Sequence, residues 1–180
     1  MNEAGANRLR LFFALWPDDE VRRQIAAETD ELITATGGNP VPAVNYHMTL
    51  AFLGSIRASS LDDILQIIRD VHFPAFKIRL DQTGYWPGSG TTWLGPSICP
   101  LELDALVDVL WNKLDDLGFV REDLQPYKPH VSLCRNVTGN YGVQLERPVE
   151  WPVTSFGLAK SSAAAGAPVY TILEQFPAGD

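Results

Sequence analysis

The sequence predicts an α+β protein that is bilobal, with two pseudo-duplicated lobes of antiparallel sheet, helices packed outside and a central cleft. Three observations predict it. Apolar runs rich in aromatic and branched residues, of strand type, are interspersed with segments whose apolar residues recur at helical spacing. A short phrase, a histidine followed two places later by a hydroxyl residue, is written twice: in NYHMTLAFLG (residues 45–54) and in YKPHVSL (residues 127–133). No low-complexity linker separates the two copies, so a single domain over residues 8–176 is expected, with 1–7 and 177–180 as flexible termini.

Taken in order, RLRLFFALW (8–16) reads as a buried strand stopped by Pro17. A helix follows, with Pro17 at its first position and Asp18, Asp19 and Glu20 in its first turn. Its apolar face is Val21, Ile25, Leu32 and Ile33, and Gly37 and Gly38 end it. NYHMTLAFLG is the second strand. SSLDDILQIIRDVH (59–72) is a second helix capped by Ser59 or Ser60, with His72 closing it against the helix dipole. AFKIRLDQTGYW and TTWLGP form two strands joined around Pro87, Gly88 and Gly90. Pro100 opens a third helix striped by Leu103, Leu106, Val107, Leu110, Leu114 and Leu117, with Gly118 as its stop. PHVSLCRN, WPVTSFGLAKS and APVYTILEQF complete the chain as three strands.

The bulk properties narrow the function classes. The formal net charge is −8 over 180 residues, which argues against coating long nucleic acid through a broad basic face but leaves room for a small basic cleft. No apolar stretch approaches the roughly 20 residues of a membrane span, and no basic region leads into an apolar run at the N-terminus. Cys99 and Cys134 show no metal-ligand spacing and read as reduced thiols of a monomeric cytoplasmic protein with no membrane association. Walker-type and GxGxxG loops are absent, and two histidines without an HxH, HExxH or CxxC partner do not make a zinc site, so neither metal nor cofactor is expected.

The repeated phrase carries the chemistry. Side chains alternate along a strand, so His47 and Thr49 share a face, as do His130 and Ser132, with Met48, Leu50, Val131 and Leu133 anchoring them from behind. By the same alternation Cys134 falls on the His130 face. Two such strands side by side present two imidazoles and two hydroxyls to one space. Near neutral pH one ring can accept a proton from water while the other gives one to a departing oxygen. The hydroxyls can donate to the non-bridging oxygens of a phosphate. Ser and Thr fill 19 of 180 positions, so chance puts one at the second place after about one histidine in ten. Arg135 is a candidate anion partner and Lys128 a rim charge. Phe12, Tyr46, Trp86 and Trp93 are candidates for stacking on a base, against the alternative that each is core.

RLFFAL, NYHMTLAFLG, TTWLG and YKPHVSLCR, in that order, resemble the two-histidine phosphoesterases, in particular the RNA 2′,3′-cyclic phosphodiesterase branch once called 2′-5′ RNA ligase. The likeness runs from about residue 8 to about residue 176, with Ser132 where threonine is more usual and Tyr127 where phenylalanine is common. It implies opening of a 2′,3′-cyclic phosphate at an RNA end to a 2′-phosphate, without metal or nucleotide. It also implies that His47 is the proton donor and His130 the proton acceptor, with Thr49 and Ser132 contacting the phosphate. A small cyclic nucleotide or ADP-ribose derivative as substrate, and a non-catalytic module that holds an RNA end, stay open as alternatives.

Overall fold

The computed structural model describes residues 7–121, 126–139, 141–164 and 167–179, so most of the N-terminal segment expected to be flexible lies outside the described residues. β1 (Arg8–Leu15) leads into α1 (Asp19–Thr36), and a short β2 (Asn39–Pro40) precedes β3 (Met48–Arg57). α2 (Leu61–Ile68), β4 (Phe76–Trp86), β5 (Thr91–Gly95) and α3 (Leu101–Asp115) follow. β6 (Val131–Arg135), β7 (Gln144–Val153), β8 (Ser155–Ala164) and β9 (Ala167–Pro177) close the chain.

Local chemistry sets the helix ends. Asp18, expected in the first turn, instead caps α1, and Pro17 stands before the helix rather than at its first position. The Asp18 carboxylate accepts from the Val21 N–H at 2.8 Å, and Gly37 takes the left-handed conformation that terminates the helix. α2 is shorter than the apolar spacing predicts. A 3₁₀ turn over Ala58–Ser60 precedes it and Ser60 makes no side-chain capping bond. His72 lies four residues beyond Ile68, exposed, and so does not close α2. Leu117 also falls past the end of α3 and is 38% exposed, while Leu103, Leu106, Val107, Leu110 and Leu114 are buried as expected.

The strands form one antiparallel sheet in the order β7-β4-β5-β6-β3-β1-β8-β9, with β2 alongside β6. The lobes are therefore β3-β1-β8-β9 and β7-β4-β5-β6, and they interleave the two halves of the chain rather than following them. The run 151–161, expected as a single strand, is broken at Thr154, where the chain passes from the edge of one lobe (β7) into the other (β8). Pro148 and Pro152 are tolerated because β7 is an edge strand. The helices cross as well: α1 packs on β6 and β7, and α3 packs on β3.

One continuous core underlies both lobes, including Leu11, Phe13, Met48, Leu94, Val131 and Leu158. A smaller cluster of Phe12, Ala14 and Ala159, with Trp16 and Tyr170 against it, covers another face of β1. At the C-terminus the Ala178 N–H donates to the Thr154 carbonyl at 2.8 Å and the Gly179 N–H to Phe73 at 3.0 Å.

The lobes touch at a narrow seam. Among the described residues β3 and β6 pair through Met48 and Val131 alone. Each strand then bulges at the same place relative to its histidine. Leu50 is the extra residue where Phe13 pairs with Ala51 and Ala14 with Thr49; Leu133 is the extra residue where Thr92 pairs with Cys134 and Trp93 with Ser132. A bulge bends and twists its strand, so the two strands part beyond the seam and leave a cleft.

Candidate active site

His47 and His130 each sit immediately before a strand, one residue ahead of the Met48–Val131 pair. Antiparallel register places His47 beside Ser132 and Thr49 beside His130, on the face opposite the buried Met48 and Val131. The four predicted side chains thus form a rectangle with the imidazoles on one diagonal. In a regular ladder such diagonal neighbours lie about 7–8 Å apart.

Both rings are held alike. His47 Nδ1 lies 2.7 Å from the Asn45 carbonyl and His130 Nδ1 lies 2.8 Å from the Lys128 carbonyl, each two residues upstream. A carbonyl only accepts, so Nδ1 carries the proton in both rings and Nε2 is left to exchange one. Burial pushes both imidazoles below their ordinary pKa. The Arg135 charge lowers both further, and His130 lowers His47.

The bulges decide what stands next to the rectangle. Beyond Leu133 the alternation reverses, so Cys134 is fully buried, accepting from the Thr36 hydroxyl at 3.3 Å, and not on the His130 face. Arg135 returns to the cleft, lining a cavity of about 390 Å³ with His47, Ser132, Asn136 and Tyr170. Phe52 stands at the matching place beyond Leu50 and lines a second cavity, of about 440 Å³, with Thr49, His130, Trp86, Tyr127 and Lys128. Arg121 and Trp111 also line this wing. Among the described residues no Asp or Glu lines either cavity, although the chain carries 22 of them. An acidic protein thus keeps a positively charged cleft, suited to an anion.

The aromatic candidates divide. Phe12 is buried with its ring 5.2 Å from that of His47, which is also flanked by Trp16 at 5.0 Å and Tyr170 at 4.9 Å. Tyr46 is 3% exposed and belongs to the core. Trp86 meets His130 edge to face at 4.4 Å, and Trp93 lies 5.4 Å from Trp86. Sequence reasoning missed Phe52, Tyr127, Trp111, Arg121, Trp16 and Tyr170 as site neighbours. Tyr170 stands in the quoted YTILEQF run, but nothing local shows that β9 brings it to β1. Among the described residues no three His, Cys, Asp or Glu side chains converge as metal ligands would.

The chain is similar to known proteins in sequence and fold. Residues 15–93 match the family of LigT-like phosphoesterases. The chain is 33% identical over 170 residues to an RNA 2′,3′-cyclic phosphodiesterase of Escherichia coli, covering 93% of this chain and 95% of the relative. It is 32% identical to the protein of that name from Thermus thermophilus, covering 93% and 89%. Crystal structures of E. coli LigT superpose with TM-scores of 0.88 (apo, 30% identity, 96% of this chain and 99% of that one) and 0.86 (with 3′-AMP, 31% identity, 97% and 100%).

Proposed function

The chain belongs to the LigT-like phosphoesterase family, and on that footing we propose that it is a metal-independent RNA 2′,3′-cyclic phosphodiesterase working by two-histidine acid–base catalysis. The cyclic phosphate sits across the rectangle of His47, Ser132, His130 and Thr49. His130 Nε2 takes a proton from water as the water oxygen bonds to phosphorus. The P–O3′ bond breaks, and protonated His47 gives its Nε2 proton to the departing 3′ oxygen. A 2′-phosphate and a free 3′-hydroxyl remain. Thr49 and Ser132 donate to the non-bridging oxygens, and Arg135 offsets their charge. The observation that carries this is the paired rectangle, in which each imidazole has Nδ1 tied to a carbonyl and a hydroxyl beside it across the seam. A single domain over residues 8–176, acting as a monomer in the cytoplasm, completes the proposal; two free thiols, Cys99 and Cys134, suit a reducing compartment.

The test is an RNA oligomer ending in a 2′,3′-cyclic phosphate, offered with a chelator present, with the terminal phosphate of the product identified. A 2′-phosphate at undiminished rate is expected. A 3′-phosphate, or turnover abolished by the chelator, contradicts the chemistry. Substrate bound yet unchanged after long incubation makes the protein a binding module, and turnover restricted to mononucleotides moves the substrate to a small cyclic nucleotide.

The pH dependence follows from the site. Both rings are held below 6.5, so in the free protein the state with one neutral and one protonated ring is most populated on the acid side of that value. The kcat/KM profile, which reports free enzyme, is therefore expected to be bell-shaped with its maximum below about pH 6.5. A bound phosphate anion favours the protonated rings, so the kcat optimum lies at higher pH than that of kcat/KM. A kcat/KM maximum on the alkaline side of 7, measured on saturating and limiting substrate series, contradicts the assignment.

A further inference from the structure

We infer that Trp93, in the TTWLG run, is a positioning residue for His130, acting through Trp86. His47 is caged by three rings, those of Phe12, Trp16 and Tyr170. Among the described residues His130 makes one ring-to-ring contact, with Trp86, which meets it at 4.4 Å with the planes 81° apart. Trp86 in turn rests on Trp93, at 5.4 Å and 34°. The Trp93 indole is itself seated between two glycines. A Cβ at Gly84 would stand 2.1 Å from its Cζ2, and one at Gly95 would stand 3.3 Å from its Cζ3. The Gly95 position would also meet the Pro129 carbonyl at 2.5 Å, so the missing side chain lets the backbone just before His130 close down on β5.

Trp93 also pairs with Ser132 across β5 and β6, at the bulge that shapes the motif strand. It lines neither cavity beside the histidines. The Nδ1–H bond to Lys128 fixes one edge of the His130 ring but leaves rotation about that bond. The edge-on contact with Trp86 stops the rotation, and Trp86 holds its place because Trp93 cannot sink further into the Gly84 notch. Nε2 of His130 is thereby aimed by a stack whose far end is one strand away.

The mechanistic part rests on the phosphodiesterase reading, so the test has a readout independent of turnover. Trp93→Leu is expected to lower kcat about 10–100-fold with KM kept within about twofold, because a misaimed general base loses alignment rather than binding. In ¹H–¹⁵N spectra the His130 ring signals are expected to shift while those of His47 stay in place. Freed from packing, His130 regains solvation and its titration moves up toward the ordinary 6.5. Trp93→Phe is expected to keep most of the activity, and Gly84→Ala, which drives against the indole, to reproduce the Leu pattern should that variant fail to fold. Unchanged kcat, a raised KM with kcat retained, or equal movement of both histidines overturns the assignment. A wild-type protein that turns over no cyclic phosphate overturns the phosphodiesterase reading instead, and the spectra then decide the positioning on their own.

Discussion

Alanine in place of His47 or His130 is expected to lower kcat by about 10²–10⁴-fold, the contribution of one positioned proton-transfer group. Neither ring bears on the common core, and both lie half-buried at the mouth of the cleft. The melting temperature of each variant is therefore expected to stay close to that of the parent. The pH profile separates the two roles. Without the acceptor the limb rising from acid pH is lost, and without the donor the alkaline limb goes. The double variant is expected to fall little below the weaker single one, because acid and base act on one reaction as a unit. Full activity in either single variant removes the two-histidine mechanism.

Phe13→Ala is expected to destabilise the protein by about 3–5 kcal/mol, the usual loss on emptying a buried aromatic site. Phe13 is fully buried at the middle of β1, between β3 and β8, and meets Phe156 at 6.1 Å and Phe176 at 6.3 Å. Phe156 and Phe176 stack at 4.9 Å, so the cavity opens in a cluster contributed by three strands of one lobe. Against a typical total of about 5–15 kcal/mol the variant keeps little reserve. At about 2–4 °C per kcal/mol for a chain of this size, its melting point is expected to drop by about 6–20 °C. A drop under about 2 °C would mean that the lobe can collapse around the missing ring.

Much of the site was legible because it depends on short-range periodicity. In the two motif segments an intervening core residue, Met48 or Val131, separates histidine from hydroxyl, and period-two alternation is enough to place both on one face. Arg135 and Lys128 were legible as cations beside the second motif, but Arg121 was not, since net charge sums the surface and says nothing of where distant cations gather. Cys134 and Arg135 exchanged faces relative to simple alternation because of the bulge at Leu133, which has no local signature in SLC. α2 ended early and His72 left its expected helix terminus because the chain turns after Ile68, with the Val71 N–H donating to the Ile68 carbonyl, and buries Val71 and Phe73 on its way to β4.

By itself the sequence determined which groups are available for chemistry and which way each faces along its own strand, because helix and strand periods are properties of a few neighbouring residues. The tertiary structure alone decided that β3 and β6 meet at a single pair, that the halves of the chain interleave to form the lobes, and that Tyr170, Trp111 and Arg121 border the cleft. Those outcomes depend on pairings between residues tens of positions apart. Such pairings are chosen by burial of a common core, and no short window of sequence contains the competing alternatives.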